Sequence, residues 1–189
     1  SDCPKTAASQ KKMRDFAKEN NIDFWEGKGV CHQVMIENYV CSGELIFGAD
    51  SHTCSYGALG AFGTGVGCTD FLYGMVTGKS WVLVPETVKF NLVGKLPEGV
   101  YARDLILTII GEIGANGCNY QVMEFTGEGA KSLSISERMV LCNMAVEAGA
   151  KTGMFEADEK ALEYLEAHGR KPKAVYKSDP DAVYAREYT

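Results

Sequence analysis

The chain has 189 residues, of which 46% are hydrophobic and 23% charged, a composition typical of a protein that folds around an apolar core. Its formal net charge of −6 argues against nucleic acid as a partner, because phosphate binding requires a basic surface. No apolar run approaches the length of a membrane span, so we expect no membrane partner.

The first half of the chain predicts two helices and two strands. Thr6 is a candidate N-cap for a helix that runs to about Asn20. The run GELIFGA (43–49) is short, apolar and bounded by glycines, which predicts a buried strand in a sheet covered on both faces. A helix is expected over 68–77, and SWVLV (80–84) is a candidate strand.

The second half continues this alternation. ETVKFNLVG (86–94) alternates apolar and polar residues as a half-buried strand does. Helical spacing returns over 103–113, and YQVMEF (120–125) is a candidate strand. Ser134 and Glu137 have capping-box spacing at the start of a predicted helix. That helix is predicted over 134–150, and a further helix ends at Gly169. The last residues, 177–189, are predicted to form an irregular polar linker.

The cysteines indicate a reducing environment. There are seven, an odd number, and no two of them stand at C-x-x-C spacing. A disulfide framework is unexpected in a chain of this length, so we interpret them as reduced thiols of a cytosolic protein. The opening residues SDCPKTAASQKK resemble neither a signal peptide nor a transit peptide.

An acid, a hydroxyl and an imidazole stand together at Asp50, Ser51 and His52, directly after the predicted strand 43–49 and before a glycine-rich run. Ligands of open α/β sheets bind beyond the carboxyl ends of strands, so this run is a candidate site. The alternative interpretation is an ordinary helix cap followed by glycines that allow close packing. Short motifs of this kind have a high false-positive rate.

Three residues elsewhere are candidate partners of this run. His32 lies among apolar residues in GVCHQV, where an imidazole needs a partner. Asn143 and Glu147 are four residues apart on the predicted helix and would share one face. A carboxylate among their apolar neighbours must be paired or neutral. The alternatives are an ordinary core histidine and a solvent-facing stripe of the helix.

The segments around these residues resemble the aconitase family. GKGVCHQVMIENYVCSGELIFGADSHTCSYGALGAFGTGVGCTD resembles two linked motifs of that family, an H-Q-[VIL] segment and a D-S-H-T segment with a glycine-rich continuation. VYARDLILTIIGEIGANG, MEFTGEG and SISERMVLCNMAVEAGAKTG resemble the family's next blocks in the same order. The resemblance covers nearly the whole chain.

The resemblance also implies the fold. Alternating strands and helices already indicate an α/β layered architecture, and the family builds three-layer α/β/α domains. We therefore expect parts of two such domains, divided at the polar loop near Pro85. The first, 1–85, contains the D-S-H-T run, and the second, 86–189, contains Asn143, Glu147 and a C-terminal linker.

The implied activity is that of a hydro-lyase. A 2-hydroxy dicarboxylic acid loses water and regains it at the neighbouring carbon. The expected substrate is 2-isopropylmalate, an intermediate of leucine biosynthesis, and the family's homoaconitases are a close alternative. The family's 4Fe-4S cluster leaves one iron open to act as a Lewis acid on the departing hydroxyl. A small subunit with the swivelling domain, which carries the family's serine base, is the implied partner.

The site residues carry over from the resemblance one by one. His32 and Asp50 match a histidine–aspartate pair, in which the carboxylate orients the ring and favours imidazolium for proton transfer. His52 and Glu147 match a histidine–glutamate pair with the same chemistry, and each pair should be in contact. The other two carried-over residues are Ser51, which matches a substrate-binding serine, and Asn143, which matches an asparagine beside the cluster.

The family's cluster ligands match nothing in this chain. They lie in an S-C-T-N-like segment and a C-x-x-C that come later in the family, and no cysteine here stands in such a context. The family's early D-H motif is also unmatched. We therefore expect a fragment of a large subunit that binds no cluster and is inactive alone. The alternative of another class is a non-catalytic binding or scaffold module with the same fold.

Overall fold

The computed structural model describes residues 3–189, so the first two residues of the predicted domain 1–85 lie outside the described residues. The α-helices are α1 Pro4–Glu19, α2 Cys31–Asn38, α3 Cys68–Thr77, α4 Ala102–Ile113, α5 Gly127–Ser132, α6 Ile135–Asn143 and α7 Glu159–Ala167. A first 3₁₀ helix covers Ser51–Leu59 and a second covers Met144–Ala148. The strands are β1 Leu45–Gly48, β2 Phe62–Gly65, β3 Thr87–Asn91, β4 Val122–Thr126, β5 Thr152–Phe155 and β6 Arg186–Tyr188.

The strands form two parallel sheets. β1 pairs with β2, and the larger sheet has the order β5-β4-β3-β6. Parallel strands need crossover connections, which the intervening helices provide. This arrangement confirms the α/β class expected from the sequence. Among residues 3–189, no helix combines the length and the apolar character that crossing a bilayer requires.

Two apolar cores hold the helices in place. The first lies between the larger sheet and helices α4 and α6, where Phe125 stacks on Phe155 with ring centroids 5.2 Å apart. The second joins α2, the first 3₁₀ helix and α7 through Ile36, Tyr56 and Leu165, all of them buried. Residues on both sides of Pro85 thus share one core, and the division into two domains stays a prediction.

Several elements lie where the sequence patterns predict them. Helix α3 occupies the predicted range 68–77, and β3, α4 and β4 overlap their predicted ranges. The capping box is present, because Ser134 Oγ accepts from the Glu137 amide at 3.3 Å and Glu137 Oε2 accepts from the Ser134 amide at 2.7 Å. Helix α7 ends just before Gly169, whose φ of +69° suits a glycine.

Two predictions about element ends and one about burial were wrong. Helix α1 begins at Pro4 rather than after Thr6, since proline at the first helical position needs no donor partner and has its φ already set. The predicted helix 134–150 ends at Asn143 and continues as the second 3₁₀ helix, a common form for a last turn. Strand β1 exists, but its first residue, Leu45, is 58% exposed, so the strand is not buried on both faces.

Two further predictions failed because strands depend on distant neighbours. The run 80–84 forms no strand, and Trp81 is 80% exposed, because no strand of the described part of the chain lies beside it to pair with its backbone. The predicted irregular tail instead ends in β6, which pairs with β3. Its Tyr188 ring stacks on Phe90 at 5.2 Å, so pairing and packing outweigh the polar composition of the segment.

Candidate active site

The D-S-H-T run begins where β1 ends and opens the first 3₁₀ helix. Asp50 is its N-cap, and Asp50 Oδ1 accepts from the backbone amide of His52 at 2.8 Å. Thr53 Oγ1 donates to the Asp50 carbonyl at 2.6 Å, which closes the turn. The helix cap proposed as the ordinary alternative is therefore present, and the same carboxylate remains 55% exposed and available for other contacts.

The contact predicted between His32 and Asp50 is confirmed. Helix α2 places His32 Nε2 2.9 Å from Asp50 Oδ1. The histidine side chain is only 12% exposed, and its other nitrogen, Nδ1, lies 3.3 Å from the hydroxyl of Tyr56. Both ring nitrogens of His32 thus contact protein groups.

The contact predicted between His52 and Glu147 is also confirmed, at longer range. His52 Nε2 lies 3.7 Å from Glu147 Oε1, an ion-pair distance beyond that of a hydrogen bond. The side chains are 37% and 58% exposed, so this pair faces solvent. Ser51 Oγ lies 3.3 Å from His52 Nδ1. The rings of His32 and His52 are 6.3 Å apart, which brings the two imidazole–carboxylate pairs into one site.

The site keeps Asp50 ionised. The hydrogen bond from the His52 amide is the largest cause and lowers the pKa of this carboxyl. Burial, the next largest, opposes it, but the hydrogen bond of His32 and the charges of His32 and His52 add to the lowering. Asp50 Oδ1 also lies 3.5 Å from His52 Nδ1. One carboxylate oxygen therefore contacts both histidines of the site.

Asn143 is tied to the D-S-H-T run through a residue that the sequence analysis missed. Its Nδ2 donates to Ser55 Oγ at 2.9 Å, and Ser55 Oγ donates in turn to the His52 carbonyl at 2.7 Å. Ser55 is buried. Asn143 is the last residue of α6 and Glu147 lies on the second 3₁₀ helix, so the two do not share one α-helical face as predicted. Asn143 contacts the first 3₁₀ helix through Ser55, and Glu147 contacts it through His52.

The cysteines of the chain do not form a cluster site. In residues 3–189 no group of three or more cysteine, histidine or carboxylate side chains is placed to hold a metal ion. Burial raises the pKa of Cys54 to about 12 and also raises the pKa of Cys142, which disfavours the thiolates that iron–sulfur clusters need. The residues present do not fit an iron–sulfur cluster.

Comparison with known proteins gives the chain's relationships. The aconitase family (aconitate hydratase) matches over residues 3–188. The 3-isopropylmalate dehydratase large subunit of Hydrogenobaculum sp. (strain Y04AAS1) is 50% identical over 187 residues, which cover 97% of this chain and 44% of that protein. That of Aquifex aeolicus is 49% identical over 187 residues, 97% of this chain and 43% of that protein.

A third relative is archaeal. The probable 3-isopropylmalate dehydratase large subunit of Methanothermobacter thermautotrophicus is 53% identical over 173 residues, which cover 90% of this chain and 41% of that protein. The chain thus spans somewhat less than half the length of these curated relatives.

Proposed function

The chain belongs to the aconitase family, and on that premise we propose that it forms part of the large subunit of a hydro-lyase. The whole protein isomerises a 2-hydroxy dicarboxylic acid by dehydration and rehydration. The relatives are 3-isopropylmalate dehydratase large subunits, which favours conversion of 2-isopropylmalate to 3-isopropylmalate, a step of leucine biosynthesis. Homoaconitase remains the alternative within the family.

One observation carries this proposal. Two imidazole–carboxylate pairs, one with His32 and one with His52, lie side by side although they come from separate segments of the chain. Dehydration requires a proton at the departing hydroxyl, and rehydration requires its removal again. An imidazole beside a carboxylate is suited to both, because its charge changes near neutral pH.

The exposures divide the roles. His52 is the more exposed ring of the two, so it is the one we propose for proton transfer with the substrate, with Glu147 orienting it. Ser51 is exposed beside it and can donate a hydrogen bond to a substrate carboxylate. Asp50 and His32 form the supporting pair, which fixes the start of the helix that presents His52.

The cofactor and partner belong to the same proposal. We propose a 4Fe-4S cluster in the whole protein, held by cysteines that are not among those of this chain, and we assign Asn143 a place beside it. That this chain binds no cluster alone also stays a prediction. The relatives are named large subunits, which supports a small-subunit partner. A cytoplasmic location is part of the proposal on the cysteine pattern of the sequence.

A coupled assay tests the proposal. The whole large subunit is purified anaerobically with its small subunit and supplied with 2-isopropylmalate or with a homoaconitase substrate. We expect turnover of 2-isopropylmalate that requires both subunits. His52→Gln should abolish most of it, whereas His168→Gln should not, because His168 stacks on Tyr164 and hydrogen-bonds its backbone carbonyl at the end of α7. Preference for the homoaconitase substrate would select that alternative. No turnover of either substrate at full iron content would support the non-catalytic module instead.

A further inference from the structure

Tyr56 contacts the candidate site from the side of the second apolar core. It lies on the first 3₁₀ helix, four residues after His52, and only 4% of it is exposed. Its ring packs with Ile36 and Leu165 in the second core. Its hydroxyl, however, points to the one ring nitrogen of His32 that Asp50 does not contact, at 3.3 Å, and the two rings are 5.8 Å apart.

These contacts determine which nitrogen of His32 carries the proton when the ring is neutral. Asp50 is ionised and can only accept, so His32 Nε2 must donate to it. The neutral ring then has no proton on Nδ1, and this nitrogen is an acceptor. Burial raises the pKa of Tyr56, so the phenol keeps its proton and can donate it.

We propose that Tyr56 is a positioning residue for His32, whose hydroxyl donates to Nδ1 and thereby holds the ring in its Nε2-protonated form facing Asp50. The resulting chain runs from Tyr56 through His32 to Asp50 and on to the amide of His52. It ties the orientation of the exposed ring to the buried core. This inference rests on the proposed function for its effect on turnover, but not for its effect on His32.

The alternative is that Tyr56 is only a core residue whose hydroxyl happens to lie near His32. The two interpretations differ in what removal of the oxygen does. Tyr56→Phe keeps the ring and its apolar contacts, so a core role predicts an unchanged histidine. A positioning role predicts a changed hydrogen bond at His32 Nδ1. It also predicts a loss of turnover with little change in substrate binding, because Tyr56 is buried and does not reach the substrate.

Nitrogen-15 NMR of the whole protein labelled at histidine tests this directly, with His32→Gln used to assign the signals. At a pH at which the ring is neutral, His32 of the unchanged protein should be protonated at Nε2 and hydrogen-bonded at Nδ1. Tyr56→Phe should move the Nδ1 signal of His32 alone. It should lower kcat about 3- to 10-fold, the equivalent of one ordinary hydrogen bond, and leave KM within about twofold.

Tyr164→Phe is the matched control. Tyr164 also packs against the second core and also lies beside a histidine, His168, but that histidine bonds to its backbone carbonyl rather than to its hydroxyl. Tyr164→Phe, which removes this hydroxyl, should leave the His32 signals and turnover unchanged.

Two results would overturn the proposal: a proton on Nδ1 of the neutral His32 ring in the unchanged protein, or an unmoved Nδ1 signal in Tyr56→Phe. If that variant does not fold, the signals of the unchanged protein decide alone. If the whole protein turns over no hydroxyacid, the proposed function fails, and the His32 signals still decide the role of Tyr56.

Discussion

Gly57 and Gly153 are in direct backbone contact, and a β-carbon on Gly57 would overlap the carbonyl oxygen of Gly153. The contact seats the first 3₁₀ helix against β5, the edge strand of the larger sheet. Glu147 lies a few residues before β5 and His52 near the start of the 3₁₀ helix. The contact therefore holds the two segments that carry His52 and Glu147 next to each other.

Gly57→Ala should strongly destabilise the protein. The added methyl group meets backbone atoms, which cannot rotate away as a side chain does. The free energy of unfolding should therefore fall by about 2 kcal/mol or more, in the upper part of the range typical of overpacking. Gly111→Ala is the control, because its β-carbon meets nothing within 4 Å in the last turn of α4. That change should stabilise by about 0.5–1 kcal/mol through helix propensity. Urea midpoints that shift equally in the two variants would contradict the contact.

Of the ion pairs compared, that of Arg138 with Asp158 should contribute most to the free energy of unfolding. Arg138 is 1% exposed and donates two hydrogen bonds, at 2.8 and 2.6 Å, to the carboxylate that caps α7. Asp158→Asn leaves the buried guanidinium without its counter-charge and should cost about 3–5 kcal/mol of the free energy of unfolding. The exposed pair of Lys11 and Asp15 provides the control, since Asp15→Asn should have little measurable effect.

The same pair predicts a pH dependence. Burial opposes the ionisation of Asp158, but the hydrogen bonds and charge of Arg138 outweigh it, so the folded-state pKa is lowered. Its contribution to stability is therefore present above the unfolded-state pKa of about 3.9 and lost as the pH falls through the lowered value. The gap between the urea midpoints of the unchanged protein and Asp158→Asn should be constant from pH 7 to 5 and shrink below about pH 4. A gap that narrows between pH 7 and 5 would exclude this assignment.

Patterns within a short stretch of sequence predicted the fold best. The capping box of Ser134 and Glu137 and the range of α3 depend on neighbours in sequence, and both are present. Strand β6 could not be predicted, because its stability comes from pairing with β3 about a hundred residues earlier, whatever its own composition. The run 80–84 is the converse, with a strand-like composition and no neighbouring strand in the described residues.

In the candidate site, too, residues that are adjacent in sequence were easier to predict than residues that only the fold brings together. The D-S-H-T run was recognisable because its residues are adjacent, and His32 and Glu147 were assigned to it through the family resemblance. Ser55 and Tyr56 were missed, although they lie two and three residues after the run, because a serine and a tyrosine in a glycine-rich stretch indicate no particular chemistry. Only the folded arrangement, in which they contact Asn143 and His32, distinguishes them from core residues.

Ser55→Ala should reduce turnover of the whole protein without unfolding it. Ser55 Oγ accepts from the Asn143 side chain and donates to the His52 carbonyl, so its removal breaks the link between these two residues. The loss of two ordinary hydrogen bonds should lower kcat by roughly 10- to 100-fold if both act in the transition state. Ser132→Ala removes a hydroxyl that likewise donates to a backbone carbonyl, that of Gly129 at 2.7 Å, but lies on α5 outside the candidate site, and it should leave kcat unchanged. Equal turnover in the two variants would remove Ser55 from the site.

Glu147→Gln separates charge from shape in the more exposed pair. Glutamine keeps the size of the side chain but supplies no negative charge to the imidazole 3.7 Å away. If Glu147 orients and supports His52 for proton transfer, turnover should fall by roughly 10²–10⁴-fold, the usual loss of general acid–base assistance. Folding and iron content should hold, since Glu147 is 58% exposed and no ligand role is proposed for it. Glu163→Gln, an exposed glutamate on α7, is the control and should be neutral. If both variants turn over normally with full iron content, Glu147 belongs to a solvent-facing stripe and the residue-by-residue transfer from the family is weakened.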